Sequence, residues 1–313
     1  MSAGADRGIA KAREVLGTLA LFAHADPAAL RLTRLGGTTN LVFRVDDGIS
    51  HYVLRVPGPL TEEYINRAHE AQAAGETARV QVSPEVLHFD ALSGVMVTRL
   101  VDGAVTMTPE RFRTLAGAPE RAGAVLRQLH GSDATFAFRF ELFAMIDDYL
   151  KVLEGKQTAL PAGYHDVVRE AAVVRAALAA HALPMAACHC DPLCENFLDT
   201  GERMWMVDWE YSGMNDPLWD LGDLSVEAGF DAAQDEQMMR AYFDGEARPA
   251  ARGRIVIYKA MCDLLWTLWG LIQHANKNPA DDFWAYSIGR FERCKRLMAT
   301  ADFQRHLANI RQG

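Results

Sequence analysis

The segment His189-Cys190-Asp191-Pro192-Leu193-Cys194-Glu195-Asn196 concentrates the side chains best suited to chemistry. Apolar Phe197-Leu198 follows, then a turn at 199–201, then Met204-Trp205-Met206-Val207 and Asp208. This order reads as a loop feeding a short hairpin that ends on a carboxylate. Phosphoryl transfer asks little covalent chemistry of a protein: it needs an acceptor hydroxyl held in line and magnesium held against phosphate oxygens. Asp191 can accept the hydroxyl's hydrogen bond as the proton leaves. Asn196, five residues on, can present its amide oxygen to a metal, and Asp208 can add a carboxylate to the same site. Magnesium takes one or two protein carboxylates plus phosphate and water, so this set suits it. Asp and Asn also make ordinary turns; the apolar strand and the second Asp at this distance favour the chemical reading.

Cys188, Cys190 and Cys194 crowd the same loop around His189. A zinc cluster is conceivable there, but the spacing matches no familiar finger. Five cysteines, an odd number, predict reduced thiols in a cytoplasmic protein.

The elements around the loop change period along the chain. A helix is predicted over 5–23, then β-prone runs at 32–35, 41–45 and 52–56, a helix over 61–78, and two further strands at 85–89 and 95–100. From about 104 the pattern is mainly helical, at 108–130, 140–154, 163–181, 231–243, 250–277 and 281–308, with an irregular stretch at 184–229. The predicted class is α+β: a protein kinase-like two-lobe fold with a small antiparallel-sheet N-lobe over 1–100 and a larger, mainly helical C-lobe over 104–313. The hinge falls at about 98–103.

On the N-lobe, Gly36-Gly37-Thr38-Thr39-Asn40 sits between two strands, where a phosphate-covering hairpin belongs. Glycines let backbone approach phosphate, and hydroxyls or Asn add donors. Arg55 ends the third strand and Glu70 lies on the next helix, the arrangement in which a strand cation is aimed at phosphates by a helix carboxylate. Adenine is expected against the backbone of Thr98, Arg99, Leu100 and Val101. On the C-lobe, Trp266 and Trp269 lie three apart on a helix apolar nearly all round, which suits core packing or a wall of an aromatic cation box.

The run Asp208-Trp209-Glu210-Tyr211-Ser212-Gly213-Met214-Asn215-Asp216-Pro217-Leu218-Trp219-Asp220-Leu221-Gly222 resembles the bacterial choline/ethanolamine kinases, within the wider aminoglycoside-phosphotransferase superfamily. The similarity runs from about 35 to 297. It implies an ATP- and magnesium-dependent kinase of choline or ethanolamine, with Asp191 as base and Asn196 and Asp208 on magnesium. It also implies a phosphate loop at 36–40, and Arg55 where most of the superfamily uses Lys. An ammonium box of Trp266, Trp269 and Tyr286, with Glu227 beside it, completes the set. His189, Glu210, Asp216 and Asp220 are assigned to supporting the loop. Cys190 and Cys194 depart from the small or polar residues expected there.

The expected partners are ATP and a small cationic alcohol. A net charge of −9 argues against nucleic acid. No signal peptide and no apolar run of membrane-span length is read. The missing G-x-G-x-x-G loop and A-P-E segment argue against a protein kinase. A kinase of another small alcohol (an aminoglycoside, thiamine or a sugar) and a nucleotide-binding pseudokinase stay open.

Overall fold

The computed structural model describes residues 3–36, 40–58 and 65–312. Helix α1 (Ala3–Thr18) ends five residues before the predicted stop, and 20–22 continue as a single 3₁₀ turn. Strands β1 (Arg31–Gly36), β2 (Asn40–Asp46), β3 (His51–Pro57), β4 (Val86–Phe89) and β5 (Met96–Arg99) form one sheet in the order β1-β2-β3-β5-β4, every pair antiparallel. Alternation along these strands turns Phe43, Val45, Leu54, Val56 and Val97 to one face. There they close over Ala12, Leu16 and Phe22 as a small core. Helix α2 (Arg67–Arg79) starts where Asn66 accepts from the amides of Ala68 and His69; of the helix predicted over 61–78, 61–64 lie outside the described residues. Ala73 and Ala74 of α2, with Val82 just after it, pack into the larger C-terminal core rather than the sheet's own.

Beyond the sheet come β6 (Val105–Thr106), α3 (Pro109–Thr114), α4 (Ala118–His130), α5 (Leu142–Gly155) and α6 (Tyr164–Ala180). The single helix predicted over 108–130 is two, because Gly117 takes a left-handed φ of 71° and Pro119 restarts the helix behind it. The stretch 184–229 holds β7 (Ala186–Cys188), β8 (Phe197–Asp199), β9 (Met204–Met206), β10 (Gly213–Asn215) and a whole helix, α7 (Leu218–Ala228). The chain closes with α8 (Ala232–Phe243), α9 (Pro249–Ala275), α10 (Phe283–Met298) and α11 (Ala301–Gln312). The helix predicted over 281–308 is likewise two, with Thr300 Oγ1 accepting from Phe303 N at 3.1 Å to start the second.

Helix α9 is the axle of this part, with α5, α7, α10 and α11 packed around it. It is long and apolar enough to cross a membrane, against the expectation of no such segment, but 83% of its most apolar stretch is buried inside the protein. Two glycines let its neighbours approach. A Cβ on Gly222 would lie 2.8 Å from the Ile255 carbonyl, and one on Gly270 would lie 2.6 Å from the Tyr286 ring. Those close approaches bring α7 and α10 to the same side of α9.

Candidate active site

Strand β7 pairs with β10 through Cys188 and Gly213, and β8 pairs with β9 through Phe197 and Met206. The loop 189–196 joins these two ladders. It turns at Cys190, whose φ of 68° lies in the left-handed region and costs a non-glycine residue about 1–3 kcal/mol. Helix α7 holds that turn. Fully buried Asp220 accepts from the amides of His189 at 2.7 Å and Cys190 at 2.9 Å, and Trp219 Nε1 donates to the Cys190 carbonyl at 3.0 Å. His189 Nε2 lies 2.9 Å from the Val207 carbonyl and reaches across to the hairpin. Asp216 accepts from Leu218 N, Arg254 and Tyr258, anchoring the start of α7 to α9. Asp191 therefore leaves a peptide fixed from several sides.

Asn196 Nδ2 donates to the Asp191 carbonyl at 3.1 Å, which turns the amide oxygen the other way. Val207 N donates to the Asn196 carbonyl at 2.9 Å and brings Asp208, at φ 70°, beside it. Among the described residues no group donates to the Asp191 carboxylate. Burial, then the charges of Glu227 and Asp208, push its pKa up to about 8, against a lowering by Arg290. For Asp208, shielding from solvent in the cleft and the Glu210 charge push it up to about 7, with Arg55 opposing.

The nucleotide side is a web of charges. Buried Arg55 pairs with Glu70, and its NH1 lies 3.1 Å from Asp208 and 3.4 Å from Glu210. Arg67, which sequence reasoning missed, bridges Glu70 at 2.7 Å and Glu210 at 2.8 Å. Its signal was available: it stands one helical turn before Glu70. Glu210, expected to support the loop, belongs to this web instead, and Asn40 Nδ2 donates to it at 3.0 Å rather than facing outward. The buried guanidinium charges draw Glu210 in, and its carboxylate in turn accepts from the Asn40 amide. Gly36 ends β1 beside a register irregularity, while Gly37, Thr38 and Thr39 lie outside the described residues. At the predicted hinge, Thr98 pairs with Val53 and Val86, Arg99 N donates to the Glu85 carbonyl and Leu100 N to the His51 carbonyl. The Val101 carbonyl accepts from Ala104 N.

At the acceptor end, the aromatics do converge. Trp269 meets Tyr286 at 5.9 Å between ring centroids, and Trp266 meets Tyr211 edge-on at 5.6 Å. Trp269 Nε1 also donates to Tyr211 Oη at 3.0 Å. Glu227 is ion-paired with buried Arg290, and the Arg290 guanidinium stacks over Tyr286 at 4.7 Å. Two of the residues expected around a cation thus already hold one from the chain itself. Arg290, Tyr211 and Asp223 were missed; Arg290 stands four residues after Tyr286, on the same helical face.

Carboxylate oxygens of Glu70, Asp208 and Glu210 lie within 4.8 Å of one another, a hard-oxygen cluster beside Asn196's hairpin. The alternative zinc cluster does not assemble. His189 Nε2 is committed to the Val207 carbonyl, and among the described residues Cys188 groups with His130 and Asp220, not with Cys190 or Cys194. Those partners are committed as well: His130 bridges Tyr242 and Asp220 at 3.0 Å each.

The sequence model of a family described as "phosphotransferase enzyme family" matches residues 31–254. The solved structure of a choline/ethanolamine kinase family protein from Mesorhizobium loti is 67% identical and superposes with a TM-score of 0.90, covering 98% of this chain and 100% of that one. The choline kinase LicA from Streptococcus pneumoniae is 26% identical, with a TM-score of 0.72 over 87% of this chain and 94% of its own. Protein LicA of Haemophilus influenzae is 25% identical over 276 residues, 86% of this chain and 80% of that protein.

Proposed function

We propose that the chain, which belongs to the phosphotransferase enzyme family and within it to the choline/ethanolamine kinase family, moves the γ-phosphoryl group of ATP to the hydroxyl of a small amino alcohol. The observation that carries the reaction is Asp191: a carboxylate free of donors on a loop whose neighbouring peptide groups are tied by Asp220 and Trp219. In this reading the acceptor hydroxyl donates to Asp191. As the new O–P bond forms and the bond to the β-phosphate oxygen breaks, the proton passes to the carboxylate and ADP leaves.

Asn196 and Asp208, with Glu210 near, offer the hard oxygen donors that magnesium takes, and the crowding of like charges there fits a cation. Held by these residues, magnesium would supply positive charge against the phosphates of ATP. Arg55, held by Glu70 and 3.1 Å from Asp208, is always charged and would add its cation on the phosphate side of the same cluster. With the amides of Arg99 and Leu100 already bonded, adenine is left the Leu100 carbonyl and the backbone from Val101 onward. Five buried, free cysteines suit a reducing compartment such as the cytoplasm.

Choline and ethanolamine are the acceptors named for relatives, and the aromatic pair Trp269–Tyr286 suits one compact cation. A polycationic aminoglycoside is favoured only by the additional carboxylates, of which Glu227 is neutralised by Arg290. The test is ADP release with choline, ethanolamine, thiamine and an aminoglycoside at matched concentrations, with and without excess EDTA. Turnover of the first two that stops with EDTA is expected; turnover of only the last two overturns the assignment.

A further inference from the structure

We propose that Asp223 is the residue that recognises the acceptor's ammonium, and that it favours an ammonium bearing N–H over a fully methylated one; this rests on the amino-alcohol reading above. Asp223 stands on α7 between Asp220 and Glu227, one helical turn from each, and is 1% exposed. Its Oδ2 accepts from Trp266 Nε1 at 3.2 Å. Its Oδ1 is buried and, among the described residues, meets no donor. A buried acceptor left this way is costly, and all the more so for a charged group. It is the signature of an oxygen made for a donor that arrives from outside.

The neighbours narrow what that donor is. Glu227, the carboxylate expected beside an ammonium, is already paired with Arg290, and Tyr286 already carries the Arg290 guanidinium. Glu227 spends one oxygen and its charge on Arg290, whereas Asp223 keeps a fully buried oxygen that meets no donor among the described residues. Burial, then the charges of Glu227 and Asp191, raise the Asp223 pKa, so a cation beside it favours its ionised form. A cation that reaches Asp223 Oδ1 meets the carboxylate that also holds the Trp266 indole.

Substituents on the nitrogen then decide. A primary ammonium has three N–H donors, each methyl group removes one, and a trimethylammonium has none, keeping only its charge and π-face contacts. Asp223 Oδ1 therefore gains a hydrogen bond from every member of the series except the last. Trp266 makes the substitution Asp223→Asn unusually informative. An indole N–H can only donate, so the new amide must turn its carbonyl to Trp266 and point its NH₂ at the acceptor.

The experiment measures kcat/KM for ethanolamine, N-methylethanolamine, N,N-dimethylethanolamine and choline with magnesium and ATP. The native enzyme and Asp223→Asn are compared, each checked by thermal melting. In the native enzyme the largest drop is expected at the last methylation. In Asp223→Asn the KM for ethanolamine rises about ten- to one-hundred-fold, the size of a charged hydrogen bond. The KM for choline rises less, and the step between the two flattens. The KM for ATP stays. Native preference for choline over dimethylethanolamine, or equal losses for every acceptor in the variant, overturns the proposal. The native series decides by itself if the variant does not fold. Failure of the native enzyme to phosphorylate any of the four overturns the amino-alcohol reading and this inference together, whereas good native turnover with unchanged selectivity in Asp223→Asn removes the inference alone.

Discussion

On the nucleotide side, Glu70, Asp208 and Glu210 each have a guanidinium against them, supplied by Arg55 and Arg67. At the acceptor end, Asp191, Asp223 and Glu227 feel one common opposing cation, Arg290, whose hydrogen bonds go to Glu227 and Asp263. The first region has settled most of its charge internally and joins the sheet to the helical part. The second holds more carboxylates than cations; burial and mutual repulsion push them toward the protonated form, and an incoming cation relieves that repulsion. Damage to the first should therefore register in melting, and damage to the second in affinity and rate.

The sharpest way to break that contrast is Asp191→Asn. It preserves shape and removes the acceptor of the proton, so turnover should fall about 10²–10⁴-fold while ATP still binds. Steady-state rates beside a calorimetric ATP titration check it; near-normal turnover removes Asp191 as base. Glu70→Ala probes the other region. Removing one partner of a buried pair commonly costs 3–5 kcal/mol, and with Asp208 and Glu210 still near Arg55 the loss should fall at about 3 kcal/mol in denaturant unfolding. An unchanged midpoint contradicts the idea of a settled joint.

Smaller in effect is Trp269→Leu, which keeps apolar volume and deletes a π face. A desolvated cation–π contact of about 2 kcal/mol corresponds to roughly a thirty-fold weaker acceptor affinity, with ATP affinity nearly unchanged. Equal losses for both substrates with a lower melting temperature mean that Trp269 is core. Last is a pH effect on the ligand-free protein, read in melting alone. The Asp191 and Asp208 pKa values, about 8 and about 7, lie above the ordinary 3.8, so the folded state binds protons more tightly than the unfolded one. Stability is then greatest at low pH within this window and is lost as pH rises from about 4 through 8. Melting at pH 9 should lie below that at pH 6, by about 2 °C for each kcal/mol, and the difference should shrink in Asp191→Asn.

The loop and hairpin were legible because their candidate residues fall in one contiguous stretch, 189–208, and the structure does bring Asn196 beside the Asp191 carbonyl and Val207. The sheet was legible from its alternation. Helix α7 was not: Trp219, Asp220, Leu221, Gly222 and Asp223 are all buried, so no polar face exposes a period, and Gly222 weakens the propensity. Its punctuation was visible in Pro217 before it and Gly229 after it, at φ 63°. The contacts that redefine the site's ends also reach side chains distant in sequence: Arg67 to Glu210, Arg290 to Glu227 and Asp223 to Trp266. Only packing around α9 brings Asp223 to Trp266, 43 residues on.

The hold of α7 on the loop has a consequence for how the chain is made. The contacts that set the Cys190 turn reach 29–31 residues forward, to Trp219 and Asp220. Synthesis proceeds from the N-terminus, so a nascent chain stopped near residue 210 contains Asp191, Asn196 and Asp208 yet lacks the groups that hold them in register. Activity is thus a late acquisition of folding, gained when α7 docks, and a truncated product would carry the reactive motif without its geometry.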